Sequence, residues 1–138
     1  MDRKDILRSY GIEYREMTKE LLKAADIAAE IREKVETVHP KIGIKPNLVC
    51  PTPAEFGGTT HPEIVAGIIE YLTESGFEAD DIEILEGSWV GDKTEDAFEY
   101  CGFNALSRQY GIKLTDMQKE RDIAEYDCDG MKLNICKH

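Results

Sequence analysis

The chain has 138 residues and a formal net charge of −11, with 41% hydrophobic and 33% charged residues. That length suits one domain with a real core rather than two. The acidity argues against a nucleic-acid binder that neutralises phosphates, and against docking on an anionic membrane. No apolar run reaches the length of a membrane span, and Met1-Asp2-Arg3-Lys4-Asp5 is no signal peptide. Cys50, Cys101, Cys128 and Cys136 contain no C-x-x-C pair and no zinc or ferredoxin spacing. The expectation is a cytoplasmic protein with reduced thiols and no metal site.

In chain order, Asp2 to Tyr10 reads as a short helix stopped by Gly11. Tyr14, Met17, Leu21, Leu22 and Ala25 then mark a helix over Ile12 to Ala25, restarted at Asp26 and continued by Ile27, Ala28, Ile31 and Val35. Lys41 to Lys45 is the first strand, ended by Pro46, which has no N–H to donate. Pro51 to Gly58 is a Pro/Gly-rich loop. Thr60-x-x-Glu63 is a capping-box pattern with Pro62 in the first turn, opening a helix through Ile64, Val65, Ile68, Ile69 and Leu72 to Gly76.

Ile82 to Glu86 alternates as a second strand, and Gly87 to Gly91 forms the next loop. A helix begins near Asp92 or Thr94 and runs to Gly102, a shorter one carries Phe103, Leu106 and Tyr110, and Ile112 to Thr115 is the third strand. Ala124–Cys128 and Met131–Cys136 flank Asp129-Gly130, a hairpin signal. Cys128 and Cys136 are then candidates to face each other across the hairpin. The expected fold is a single α/β domain over 1–138: a three-layer, Rossmann-like βαβαβ parallel sheet with a C-terminal β-hairpin.

Lys45-Pro46-Asn47-Leu48-Val49, then Thr59-Thr60-His61-Pro62-Glu63, then Glu86-Gly87-Ser88 and Tyr110-Gly111-Ile112-Lys113-Leu114 together resemble the family called domain of unknown function 362 (DUF362). The resemblance covers roughly residues 12–136. It implies that this chain is the N-terminal portion of a longer family domain, so that part of any site would come from the continuation. Family members are often fused to ferredoxin-like modules holding iron–sulfur clusters. The cysteines here match no such pattern, so the cofactor is left open.

In open α/β sheets ligands collect outside the carboxyl ends of the strands. Lys45 and Asn47 end the first strand, and Thr59, Thr60 and His61 precede a helix whose N-terminus favours anions. Glu86, Ser88 and Trp89 belong to the neighbouring strand-to-helix loop. Gly87 to Thr94 is not a phosphate-binding P-loop, because the glycine spacing is short and Asp92 interrupts Gly-Lys-Thr.

One functional reading is an enzyme, or half of one, that binds a small anionic ligand. Lys45, Asn47, Thr59, Thr60, Ser88 and Trp89 would hold the ligand, and His61 and Glu86 would move protons. The alternative is a non-catalytic binding or scaffold module that docks a redox protein partner or the missing C-terminal region.

Overall fold

The computed structural model describes residues 6–119, 123–128 and 130–136. Helices α1 (Tyr14–Ala24) and α2 (Ile27–Lys34) precede strand β1 (Ile42–Ile44), and α3 (Pro62–Glu74) leads to β2 (Ile82–Glu86). Helices α4 (Thr94–Tyr100) and α5 (Phe103–Tyr110) then lead to β3 (Lys113–Asp116), and β4 (Ile123–Cys128) and β5 (Met131–Cys136) follow. No helix among the described residues is long and apolar enough to cross a membrane.

The sheet has the order β1-β2-β3 and is parallel throughout, with Ile44 beside Ile84 and Leu114 on its other side. Alternation along β2 sends Ile82, Ile84 and Glu86 to one face and Glu83 and Leu85 to the other. On the first face Ile44, Ile82 and Ile84 join Val65, Ile69 and Leu72 of α3 and Phe103 and Leu106 of α5 in one core. Helix α1 packs outside α3, and α2 pins its end, where the Tyr71 hydroxyl accepts the Ala28 N–H at 2.9 Å.

The third of the three expected layers is not seen among the described residues. The core between sheet and helices lies on the Ile82–Ile84 face, whereas Gly43, Glu83, Leu85 and Lys113 line an open groove of about 600 Å³ on the other. Leu85 lies across that groove floor: a Cβ added to Gly43 would meet its Cδ1 at 2.8 Å.

Two expectations are corrected. Residues 6–10 are not helical, and residues 1–5 lie outside those described. Only three apolar residues, Ile6, Leu7 and Tyr10, fall in that stretch, and they cover no core. The β4–β5 register sets Cys128 opposite Met131 and Cys136 opposite Ile123, so the two cysteines sit at opposite ends of the pairing and do not face each other.

Candidate functional site

Parallel strands end at one edge of the sheet, so the loops after β1, β2 and β3 share a crest. Its centre is Glu86, the last residue of β2, which shares the core-facing side with Ile82 and Ile84 and is only 1% exposed. A buried carboxylate needs compensation. Glu86 Oε2 accepts the Leu48 N–H at 2.6 Å and Oε1 accepts the Gly87 N–H at 2.8 Å. Lys45 Nζ lies 2.7 Å from Oε1 and 2.9 Å from Oε2, and also donates to the Pro46 carbonyl at 2.6 Å. The Lys45 side chain remains 58% exposed.

The other polar candidates are also engaged within the crest. Ser88 donates its hydroxyl to the Leu48 carbonyl at 2.8 Å, while its N–H reaches Thr94 Oγ1 at 3.1 Å. Asn47 and Thr60 form a reciprocal clasp. The Asn47 N–H donates to Thr60 Oγ1 at 2.9 Å, and the Thr60 N–H donates to the Asn47 carbonyl at 2.9 Å. Asn47 Nδ2 also reaches the Gly58 carbonyl at 3.0 Å, and the Thr59 hydroxyl donates to the Thr52 carbonyl at 2.8 Å.

This corrects the capping-box reading. The N-cap of α3 is His61, and Thr60 spends its hydroxyl on Asn47. Pro62 at the first helical position has no N–H to satisfy.

Gln118, which sequence reasoning missed, fastens the third loop. Its Nε2 donates to the Ser88 and Asp92 carbonyls at 3.0 Å each, and its Oε1 accepts the Thr94 N–H at 3.3 Å. Nothing local marks an exposed glutamine after a strand for such a role.

His61 keeps separate company. Its ring sits 4.5 Å from that of Tyr14, tilted by 36°, and its Nδ1 is 4.0 Å from the Glu63 carboxylate. No hydrogen bond or ion pair joins His61 to Glu86, so the two candidate proton carriers do not act on each other directly.

Beside its exposed polar residues, the crest shows apolar side chains to solvent. The Trp89 N–H donates to the Val49 carbonyl at 3.0 Å, joining the first two loops. Trp89 is 72% exposed and Val90 92% exposed, with Val49 and Phe56 also open to solvent.

Beneath the first loop, Cys101 Sγ donates to the Thr52 carbonyl at 3.2 Å, and burial pushes this thiol above its ordinary pKa. Burial also raises Tyr110, whose hydroxyl donates to Glu70 at 2.5 Å. A group raised on folding gives stability that is intact below its unfolded pKa and is lost as pH climbs through the folded one. Stability is therefore expected to fall as pH passes the ordinary thiol and phenol values, about 8.5 and about 10. Thermal melts against pH should show this, with Tyr110→Phe flattening the upper part. A profile of Tyr110→Phe parallel to the parent's would discard the phenol's share.

The groove on the far face, reaching Lys41, Asp80 and Asp81 at the amino ends of the strands, is separate from this crest. Comparison with family models finds a match to Domain of unknown function (DUF362) over residues 42–138. Comparisons with curated proteins and with solved structures return no match.

Proposed function

The chain belongs to the DUF362 family, a domain of unknown function, and from that premise we propose that it is a binding module whose crest docks a partner through apolar contacts. One observation carries the reading. The side chains of Glu86, Ser88, Asn47 and Thr60 are spent within the crest, whereas Trp89, Val90, Val49 and Phe56 are displayed. A large exposed aromatic flanked by aliphatic residues fits the centre of a docking surface. The net charge of −11 favours a partner with a cationic rim, whether a redox protein or further family sequence.

A second reading keeps the small anionic ligand. The exposed Lys45 head group favours it, although Glu86 already supplies the counter-charge. The two readings separate with simple probes. An apolar fluorescent dye should bind the crest, and Trp89→Ala should weaken it by about tenfold, the effect of losing one aromatic anchor worth a little over 1 kcal/mol. Lys45→Met should leave dye binding nearly unchanged, and inorganic phosphate should not raise the melting temperature. A phosphate-dependent rise that vanishes in Lys45→Met would favour the anion site and count against docking. Dye binding indifferent to Trp89→Ala would sink the docking reading outright.

A further inference from the structure

Cys50 and Cys101, fifty-one residues apart, meet beneath the crest. Cys50 lies half-buried in the loop after β1, and Cys101 is buried at the C-terminal cap of α4. Both are free thiols that converge on Thr52. Cys50 Sγ lies 3.4 Å from its hydroxyl, and Cys101 Sγ lies 3.2 Å from its carbonyl oxygen and 3.9 Å from that of Cys50. The Cys101 sulfur thus lies beside the backbone of Cys50, and the Cys50 thiol is among the groups that raise its pKa. The chain from Cys50 to Thr52 is a tight turn, with the Thr52 N–H on the Cys50 carbonyl at 2.8 Å.

We infer that Cys50 and Cys101 are a redox pair: oxidation by a hydroperoxide at Cys50 closes a disulfide to Cys101 that ties the loop after β1 to the end of α4. The roles follow from exposure. Cys50 is the thiol that solvent-borne oxidant can reach, while Cys101 is shielded and raised in pKa, which protects it from direct attack.

In the first step the Cys50 thiolate attacks a peroxide oxygen. The S–O bond forms, the O–O bond breaks, and the departing alkoxide or hydroxide takes up a proton, leaving a sulfenic acid. In the second step the Cys101 sulfur attacks the Cys50 sulfur. The S–S bond forms, the S–O bond breaks, and the departing hydroxide leaves as water with the proton that Cys101 gives up. Two electrons pass from the thiol pair to one peroxide. The inference is independent of what the crest docks.

The test treats the whole chain with a small excess of hydrogen peroxide, followed by peptide mapping without reduction and alkylation of the remaining thiols after unfolding. The Cys50 and Cys101 thiols should be lost one for one, into a single linked pair of peptides that a dithiol reductant separates. In Cys50→Ser, a change at a half-buried loop position that leaves the core intact, Cys101 should stay fully alkylatable. In Cys101→Ala, Cys50 should accumulate as sulfenic acid, trapped by a dione reagent. Oxidation of Cys50 to sulfinic acid while Cys101 keeps its thiol would overturn the inference. So would a dominant disulfide from Cys50 to Cys128, to Cys136 or to a second molecule.

Discussion

Replacing Glu86 with alanine is expected to lower the unfolding free energy by about 2–4 kcal/mol, since a buried donor left unsatisfied costs about 1–3 kcal/mol and the vacated side-chain volume adds to it. The polar part of the loss has three sources of unequal weight. Leu48, fully buried, loses the acceptor for its N–H. The Gly87 N–H loses its acceptor as well, though its residue is exposed and water can substitute. Lys45 loses its counter-ion, but its exposed head group simply returns to solvent.

Urea titration at neutral pH would measure these effects and order three variants: Glu86→Ala most damaging, Glu86→Gln intermediate, Lys45→Met least. The glutamine keeps the volume and one acceptor oxygen, yet must point its amide N–H₂ at a donor. Lys45→Met removes a head group that is 58% exposed and leaves the buried Glu86 carboxylate its two backbone N–H donors, so it is expected to cost about 1 kcal/mol. If Lys45→Met proved as costly as Glu86→Ala, the charge pair rather than the backbone N–H groups would hold the crest. If Glu86→Ala lost less than about 1 kcal/mol, within reach of an ordinary surface change, Glu86 would not be the crest's anchor.

Glu86 also shows how far the sequence could be read. The alternation Ile82-Glu83-Ile84-Leu85-Glu86 was enough to place a strand, and the same period puts Glu86 on the face of the two isoleucines. Its burial is therefore legible in the alternation, although a carboxylate at a strand end equally fits an exposed catalytic group. The parallel sheet and the α3 stripe were legible because their patterns are local and long. The clasp between Asn47 and Thr60 was not. A capping box and a loop fastening need the same residue types, and only the position of Pro62 and the tertiary partner decide between them. The pairing of His61 with Tyr14 was out of reach for the same reason, since forty-seven residues separate them and no pattern links the two.

Gly67 packs against α1, the helix that carries Tyr14, and Gly67→Val is expected to cost about 2–3 kcal/mol, the upper part of the range for overpacking. A Cβ at Gly67 would lie 2.5 Å from the Arg15 carbonyl oxygen and 2.9 Å from the Thr18 Cβ. The first of these is backbone, so no rotamer change on α1 relieves it, and α1 must move away from α3. The ion pairs that join the two helices, Arg15 and Lys19 with Glu70 and Lys19 and Lys23 with Glu74, are partly open to solvent and cannot hold the helix in place alone. Gly67→Ala should suffer less, because the gain of about 1 kcal/mol in helix propensity offsets part of the clash.

Hydrogen exchange would locate the damage. Amides of α1 should exchange faster in Gly67→Val, while those of β2 keep their protection, because the sheet core does not depend on the α1 contact. Unchanged α1 exchange in a normally stable variant would mean that the helices do not meet as closely as described. Displacing α1 also carries Tyr14 off the His61 ring, so reaction of His61 with an imidazole-modifying reagent should accelerate in the same variant. That links a packing glycine to a histidine at the rim of the crest. It also gives a way to expose His61 without mutating it, and if dye binding at the crest survives the exposure, His61 lies outside the docking surface.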